Sequence, residues 1–311
     1  MNGKRGMVAG LLLLGTISLS AKPEMNGFDL GNAVIPAEEI LSGGPPRDGI
    51  PSIDRPVFES VEEADRWLKK TDLVVSLEMG GEIRAYPLRI LVWHEIVNDR
   101  FGEQPVAVTY CPLCGTAMVF DALIGGITRT FGVSGLLYNS DVLMYDRQTE
   151  SLWSQLAMKA LSGPALGNEL ELMPSEHLEW ETWKAENPSG RVLSRETGTS
   201  RNYGRMPYSD YEQTDRTMFP VKRYRDELKN KEWIIGLHVN GLAAAFPLQE
   251  LKDQEMVKAR VGTTLIEVIF DPERGTVKAT QTESGETIPV TRAYWFAWQA
   301  FYPETALWRA Q

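Results

Sequence analysis

The strongest constraint on the fold is an internal repeat. Residues 74–116 align without a gap on residues 234–276, and 14 of the 43 positions are identical. Each copy reads as two strands around a Gly-containing turn, a short helix that opens after proline, and two more strands around a tight turn. The repeat therefore predicts an α+β protein of two related β-β-α-β-β lobes, made by internal duplication and dominated by antiparallel strands.

The repeat also suggests how the chain is divided. A Pro- and Gly-rich stretch precedes the first copy, and an apolar run, AYWFAWQAFYP, follows the second. The predicted units are a signal peptide at 1–21, an extended N-terminal arm at 22–57, a first lobe at 58–165, a connecting helix and aromatic loop at 166–225, and a second lobe with a C-terminal helix at 226–311.

The N-terminus predicts export. Lys4 and Arg5 precede an apolar run at 7–19, and Ser20 and Ala21 suit cleavage by a signal peptidase. The run is shorter than the ~20 residues of a transmembrane helix, so we expect a periplasmic or extracellular protein without membrane contact after cleavage. The net charge of -10, without a basic cluster, argues against nucleic acid as a partner.

Both cysteines of the chain, Cys111 and Cys114, lie in the segment TYCPLCGT. At the matching positions the second copy has Asp271 and Arg274, while the proline and glycine of the turn are retained. The turn therefore needs proline and glycine and does not need sulfur. Two cysteines are also too few for a stabilising disulfide framework, so the pair points to chemistry.

A metal site is the first interpretation of this pair. A CxxC between two strands is typical of a zinc knuckle, whereas a thioredoxin-type CxxC lies at the start of a helix. His94 lies on the helix before the strand that carries Cys111, and its counterpart in the second copy is Gln254. We predict a metal site of Cys111, Cys114 and His94, which would suit copper or zinc.

Several further side chains are predicted to line this site. Thioethers or polar groups would come from Met118, Met144, Asp146, Gln155, Arg205 and Tyr208. Glu95, by contrast, matches Glu255 in the other copy and is interpreted as structural.

Three longer segments, YCPLCGTAMVFD, FGVSGLLYNSDVLMYDRQTESLWSQ and WFAWQAFYPET, resemble the bacterial family DUF3179. The resemblance runs from roughly residue 60 to the C-terminus. The family has no assigned function, so the resemblance implies no activity. The residues that resemble its signature positions are His94, Cys111, Cys114, Ser134, Asp146, Trp153 and Gln155.

Three functions remain open from the sequence. The chain could be an exported metal-binding protein, a thiol–disulfide redox protein that uses the same CxxC, or a non-catalytic module that binds a small ligand in a cleft between the lobes. No Gly-rich phosphate loop, G-x-S-x-G elbow or HExxH helix occurs, so no reaction and no protein partner are predicted.

Overall fold

Strands make up most of the regular secondary structure in this computed structural model, which describes residues 23–310. The signal segment predicted at 1–21 lies outside these residues. Most of the described strands belong to five sheets of four or five strands, which are the blades of a five-bladed β-propeller. The α-helices are few and short: Val61–Ala64 (α1), Leu88–His94 (α2), Trp180–Glu186 (α3), Ser209–Glu212 (α4), Leu248–Gln254 (α5) and Trp295–Phe301 (α6).

The blades draw their strands from distant parts of the chain. Blade I contains Ile40–Ser42 (β3), Phe131–Tyr138 (β12), Asp141–Asp146 (β13), Leu152–Ser154 (β14) and Lys159–Ala160 (β15). Blade II contains Ile96–Phe101 (β7), Gln104–Cys111 (β8), Thr116–Asp121 (β9) and Leu172–Met173 (β16). Blade III contains Phe58–Ser60 (β4), Leu73–Met79 (β5), Glu82–Pro87 (β6), Glu176–Glu179 (β17) and Arg191–Leu193 (β18).

The second half of the chain supplies the other two blades. Blade IV contains Trp233–Val239 (β19), Leu242–Pro247 (β20), Val290–Tyr294 (β25) and Ala306–Leu307 (β26). Blade V contains Met256–Val261 (β21), Thr264–Asp271 (β22), Thr276–Gln281 (β23) and Thr287–Ile288 (β24). Two small hairpins are formed by Glu24–Met25 (β1) with Phe28–Asp29 (β2), and by Leu123–Ile124 (β10) with Ile127–Thr128 (β11).

The predicted α+β fold of two lobes is wrong. The strands of the first aligned segment are divided between blades III and II, and those of the second between blades IV and V. Helices α2 and α5 have seven residues each, about two turns, which is too short for either to form a layer of its own. Each helix connects two blades. The largest hydrophobic cluster also crosses the predicted lobes, since it joins Met118 and Trp153 to Trp298.

The segments outside the repeat are also built into the blades. The predicted arm at 22–57 supplies β3, which pairs with β12 of blade I, and Ile53 bridges Val97 of blade II. The predicted connecting segment at 166–225 supplies β16 to blade II and β17 and β18 to blade III.

The two aligned segments nevertheless share their local structure. Strand β8 ends at Cys111, β22 ends at Asp271, and the turns that follow have Gly115 at φ +64° and Gly275 at φ +68°. The same bend is therefore built once with thiols and once with ordinary turn residues.

The second copy uses its bend for an ion-pair network. Arg274, which stands where the first copy has Cys114, contacts Glu176 of β17 at 2.7 Å and Glu186 of α3 at 2.9 Å. Its guanidinium thereby links blade V to blade III and to the helix that follows β17.

Within residues 23–310, no helix has the length and apolar character needed to cross a bilayer.

The two turn glycines offer a matched test of the packing at the cysteine bend. A Cβ on Gly115 would lie 2.5 Å from the Trp233 ring, whereas a Cβ on Gly275 would meet nothing within 4 Å. Gly275→Ala should cost about 1–2 kcal/mol of unfolding free energy, from the left-handed φ alone. Gly115→Ala should cost roughly 1–3 kcal/mol more, because the ring must move. Urea denaturation of both variants measures the difference, and equal losses would contradict this packing.

Candidate metal centre

Cys111 and Cys114 present their thiols to the interior of the protein. Cys111 is the last residue of β8, and Cys114 lies in the turn before β9. Their exposed fractions are 1% and 0%, and neither thiol is in a disulfide. Because side chains alternate along a strand, Cys111 faces the largest core cluster while its neighbour Tyr110 faces another.

The β12–β13 hairpin brings an acidic residue to the thiols. Tyr138 pairs with Asp141 across a two-residue loop in which Asn139 and Ser140 both have positive φ, the pattern of a type I′ turn. The loop is fixed from outside, since the Asn139 side chain accepts from the Lys222 amide at 2.9 Å. The Ser140 hydroxyl also donates to a backbone carbonyl of the loop that contains Lys222. A serine with positive φ is uncommon, and here this conformation places the turn beside the cysteines.

The two thiols and the Asp141 carboxyl form one cluster. The Cys114 sulfur lies 3.7 Å from Oδ1 of Asp141 and 3.4 Å from the carbonyl oxygen of Ser140. One possible ligand atom from each of Cys111, Cys114 and Asp141 lies within 4.8 Å of the others. The second carboxyl oxygen, Oδ2, accepts from the Leu156 amide at 2.9 Å, which holds the group in place.

Burial dominates the electrostatics of the cluster. It raises the pKa of both thiols, and it raises the pKa of Asp141 to about 7. The pKa of Glu95 rises to about 8, through burial and the negative charge of Asp141. Among the described residues, no basic side chain is a main influence on these four groups. They must therefore either stay protonated or share a cation from outside the chain.

Glu95 has a structural backbone and an unusual side chain. Glu95 is left-handed at φ +59° and ends α2, where its backbone N–H donates to the Leu91 carbonyl. Its own carbonyl accepts from the Tyr110 N–H at 2.7 Å. Glu255 repeats this backbone role at φ +58°, but its side chain is exposed. The Glu95 side chain is 7% exposed, and its carboxyl makes no hydrogen bond to another described residue. The predicted structural role of Glu95 therefore explains its backbone conformation and does not explain its buried side chain.

His94, predicted as a metal ligand, is not part of the cluster. Its Nδ1 lies 2.7 Å from the Pro51 carbonyl, and its Nε2 lies 2.7 Å from the Tyr203 hydroxyl. A carbonyl oxygen only accepts, so Nδ1 donates and Nε2 accepts from the tyrosine. Both ring nitrogens of His94 are therefore hydrogen-bonded. The third potential ligand beside the two thiols is the carboxyl of Asp141.

Three of the other predicted lining residues contribute to the packing and hydrogen bonding of the interior. Met118 and Met144 are buried in the largest hydrophobic cluster. Asp146 is fully buried and paired with Arg129 at 2.8 Å, and it also accepts from the Trp153 indole at 2.8 Å.

Two predicted lining residues do lie near the cluster, and one does not. The Gln155 amide nitrogen donates to the hydroxyl of Thr109, which lies two residues before Cys111 and on the same face of β8, while Oε1 of Gln155 is buried without a partner. Burial raises the pKa of Tyr208 to about 12, with added influence from Glu95 and Cys111. Arg205 is exposed on the surface.

Asp141 is the site residue that the sequence analysis missed. It lies 30 residues beyond Cys111, in a different blade, so no local spacing connects the two. A weak signal was present: the strand DVLMYD, buried at every position, begins and ends with an acidic residue. A carboxyl in such a strand needs a partner or a cation.

Fold and site together define a class of protein: a β-propeller that buries two thiols and a carboxyl as one potential metal-ligand cluster. The chain belongs to the DUF3179 family, described as a protein of unknown function, whose family model matches residues 47–286. This match confirms the resemblance seen in the sequence. No curated protein and no solved structure gave a significant match to the chain.

The buried carboxyls predict how the stability of the metal-free protein depends on pH. The folded-state pKa of Glu95, about 8, exceeds the usual value of 4.5, so the folded state holds a proton that the unfolded chain releases between these pH values. Unfolding free energy is therefore lost as the pH rises through this window, by at most about 1.4 kcal/mol per pH unit for this group. Glu95→Gln should match the wild type near pH 5 and be more stable at pH 8.

Chemical denaturation in the presence of a chelator measures this effect. Glu255→Gln is the control, since it changes the same residue type on the same backbone geometry at an exposed position. Parallel pH curves for wild type and Glu95→Gln would show that the Glu95 carboxyl titrates as it would in water.

Proposed function

We propose that the protein is an exported metal-binding protein that holds one zinc or copper ion between Cys111, Cys114 and Asp141. The observation that carries the proposal is the cluster itself: three buried ligand atoms within 4.8 Å of one another. A bound cation would supply positive charge to the cluster, since no basic side chain among the described residues is a main influence on it.

The spacing of the donors fits a tetrahedral ion. Zinc lies about 2.3 Å from a thiolate sulfur and about 2.0 Å from a carboxylate oxygen, so at a tetrahedral angle these two atoms are roughly 3.5 Å apart. The Cys114 sulfur and the Asp141 oxygen are 3.7 Å apart. Only a small adjustment would seat an ion between them.

The donor set favours zinc over copper(I). Two thiolates suit both ions, but a carboxylate oxygen is a hard donor, which zinc accepts more readily than copper(I) does. Three protein donors leave a fourth position for water or another ligand. The carboxyl of Glu95 and the unpartnered Oε1 of Gln155 are the nearby groups suited to orient that ligand.

A redox role for the same thiols is less well supported. A thiol that exchanges disulfides needs access to its partner and a lowered pKa. Here both thiols are buried, burial raises their pKa, and the turn that carries them leads into strand β9 rather than into a helix. Their proximity would still allow a disulfide to form.

Export to the periplasm or the extracellular space is part of this proposal. The charged and apolar segment within residues 1–21 supports export. Two adjacent free thiols in an oxidising compartment would tend to form a disulfide, and a bound ion would protect them. The expected partner is therefore a metal ion or another small ligand, with no role for nucleic acid or for a membrane after cleavage.

Metal titration of the purified, reduced protein tests the proposal. Wild type should bind one zinc ion per chain by native mass spectrometry, and binding at neutral pH should release protons, because the thiols and Asp141 must ionise. Cys111→Ser and Asp141→Asn should each weaken binding by roughly tenfold or more, since each removes a donor. Asp253→Asn, an exposed acid distant in sequence, is the control.

Two results would refute a metal role. One is zinc affinity that is unchanged in Cys111→Ser and Asp141→Asn. The other is a Cys111–Cys114 disulfide that forms and is reduced reversibly in the folded protein while no metal binds, which would establish the redox alternative.

A further inference from the structure

Arginines from helix α2 and from the loop after β18 converge on a small cleft. The cleft has a volume of about 210 Å³ and is lined by Trp67, Arg89, Arg195, Arg201, Asn202 and Tyr203, with the backbone at Gly204. No acidic residue lines it, although the chain as a whole carries a charge of -10.

Two of the three guanidinium groups make no salt bridge to another described residue. Arg89 is paired with Asp72, with its Nε 2.8 Å from Oδ2. Arg195 and Arg201 form no salt bridge with another described residue, although the charge of Arg195 acts on the Glu59 carboxyl. Nε of Arg201 is also buried without a hydrogen-bond partner. A buried donor of this kind is costly unless a ligand completes it.

Aromatic side chains position the two unpaired arginines. The guanidinium of Arg195 lies 5.1 Å from the centre of the Trp67 ring, and that of Arg201 lies 6.0 Å from the centre of the Trp93 ring. Such cation–π contacts hold the groups without satisfying their N–H donors. The arginines are therefore held in place, with donors left over for a ligand.

Tyr203 gives the cleft a fixed wall. Its hydroxyl donates to Nε2 of His94, and it lies 2.6 Å from the Thr197 hydroxyl, which must then be the donor of that bond. The Pro51 carbonyl anchors the other side of the His94 ring. His94, which the metal cluster does not use, thus serves this second site.

We propose that this cleft binds a phosphate group, either inorganic phosphate or a small phosphate monoester. Guanidinium forks match phosphate oxygens in pairs, and groups that approach from several directions suit a tetrahedral anion better than a planar carboxylate. The cleft, with a volume of about 210 Å³, has room for a phosphate with a small substituent. The proposal is independent of the metal ion.

Calorimetric titration at low ionic strength tests it. Inorganic phosphate and glycerol 3-phosphate are titrated into wild type, with acetate as a planar anion. We expect saturable binding of at least one of the two phosphates, and dissociation constants at least tenfold higher in Arg195→Gln and in Arg201→Gln. Arg205→Gln, an exposed arginine of the same loop, is the matched control and should bind as wild type does.

A second measurement follows His94 directly. Burial lowers its pKa and the charge of Arg201 adds to that effect, while the bond to Pro51 opposes it. A bound anion would offset the Arg201 charge, so phosphate should raise the pKa of His94. The chain has three histidines, so their imidazole signals can be assigned in an NMR titration with a His94→Gln variant. The same phosphate response is expected in Cys111→Ser.

The proposal is overturned by any of three results. These are no saturable phosphate binding, acetate binding as tight as phosphate, or equal affinity in Arg201→Gln and Arg205→Gln. Near-UV circular dichroism of each variant confirms that a lost affinity is not a lost fold.

Discussion

Two thiols and two carboxyls are buried together in this protein, and among residues 23–310 no basic side chain is a main influence on their pKa values. Ionising any one of Cys111, Cys114, Asp141 and Glu95 places a charge in the low-dielectric interior of the protein, which is why burial raises the pKa of all four. The hairpin turn before Asp141, with two consecutive residues at positive φ, brings one carboxyl to the sulfurs. A cation supplied from outside relieves the same electrostatic cost.

The repeat shows how such a site can arise on an existing backbone. Both copies keep the left-handed glutamate after the helix and the glycine in the bend. In the second copy the bend carries Arg274, which is satisfied by two glutamates at the surface of the propeller. In the first copy the equivalent position carries Cys114, which faces Asp141 in the interior. The backbone is shared, and the side chains decide whether the bend is an ion-pair link or a candidate metal centre.

Local structure could be predicted from the sequence where local rules govern it. The bends after β8 and β22 and the chain reversal at Asn139 and Ser140 follow from turn residues. The five blades could not be predicted in this way, because β6 pairs with β18 and β16 pairs with β9 across long stretches of chain. Periodicity indicates a strand and does not indicate its neighbour.

The site was predicted in part for the same reason. Comparing the two copies identified Cys111 and Cys114, since a difference between copies is visible in sequence. It also favoured His94, which differs from Gln254, but in the structure both ring nitrogens of that histidine are hydrogen-bonded, to Pro51 and to Tyr203. Asp141 lies outside the repeat and has no counterpart for comparison, so only the folded chain shows that its carboxyl lies beside the thiols.

X-ray absorption spectroscopy of the zinc-loaded, reduced protein tests the central claim most directly. The account predicts two sulfur scatterers at about 2.3 Å and an oxygen shell near 2.0 Å, without the outer-shell pattern of imidazole. A spectrum with no sulfur in the first coordination shell, or one dominated by histidine, would contradict a site built from Cys111, Cys114 and Asp141.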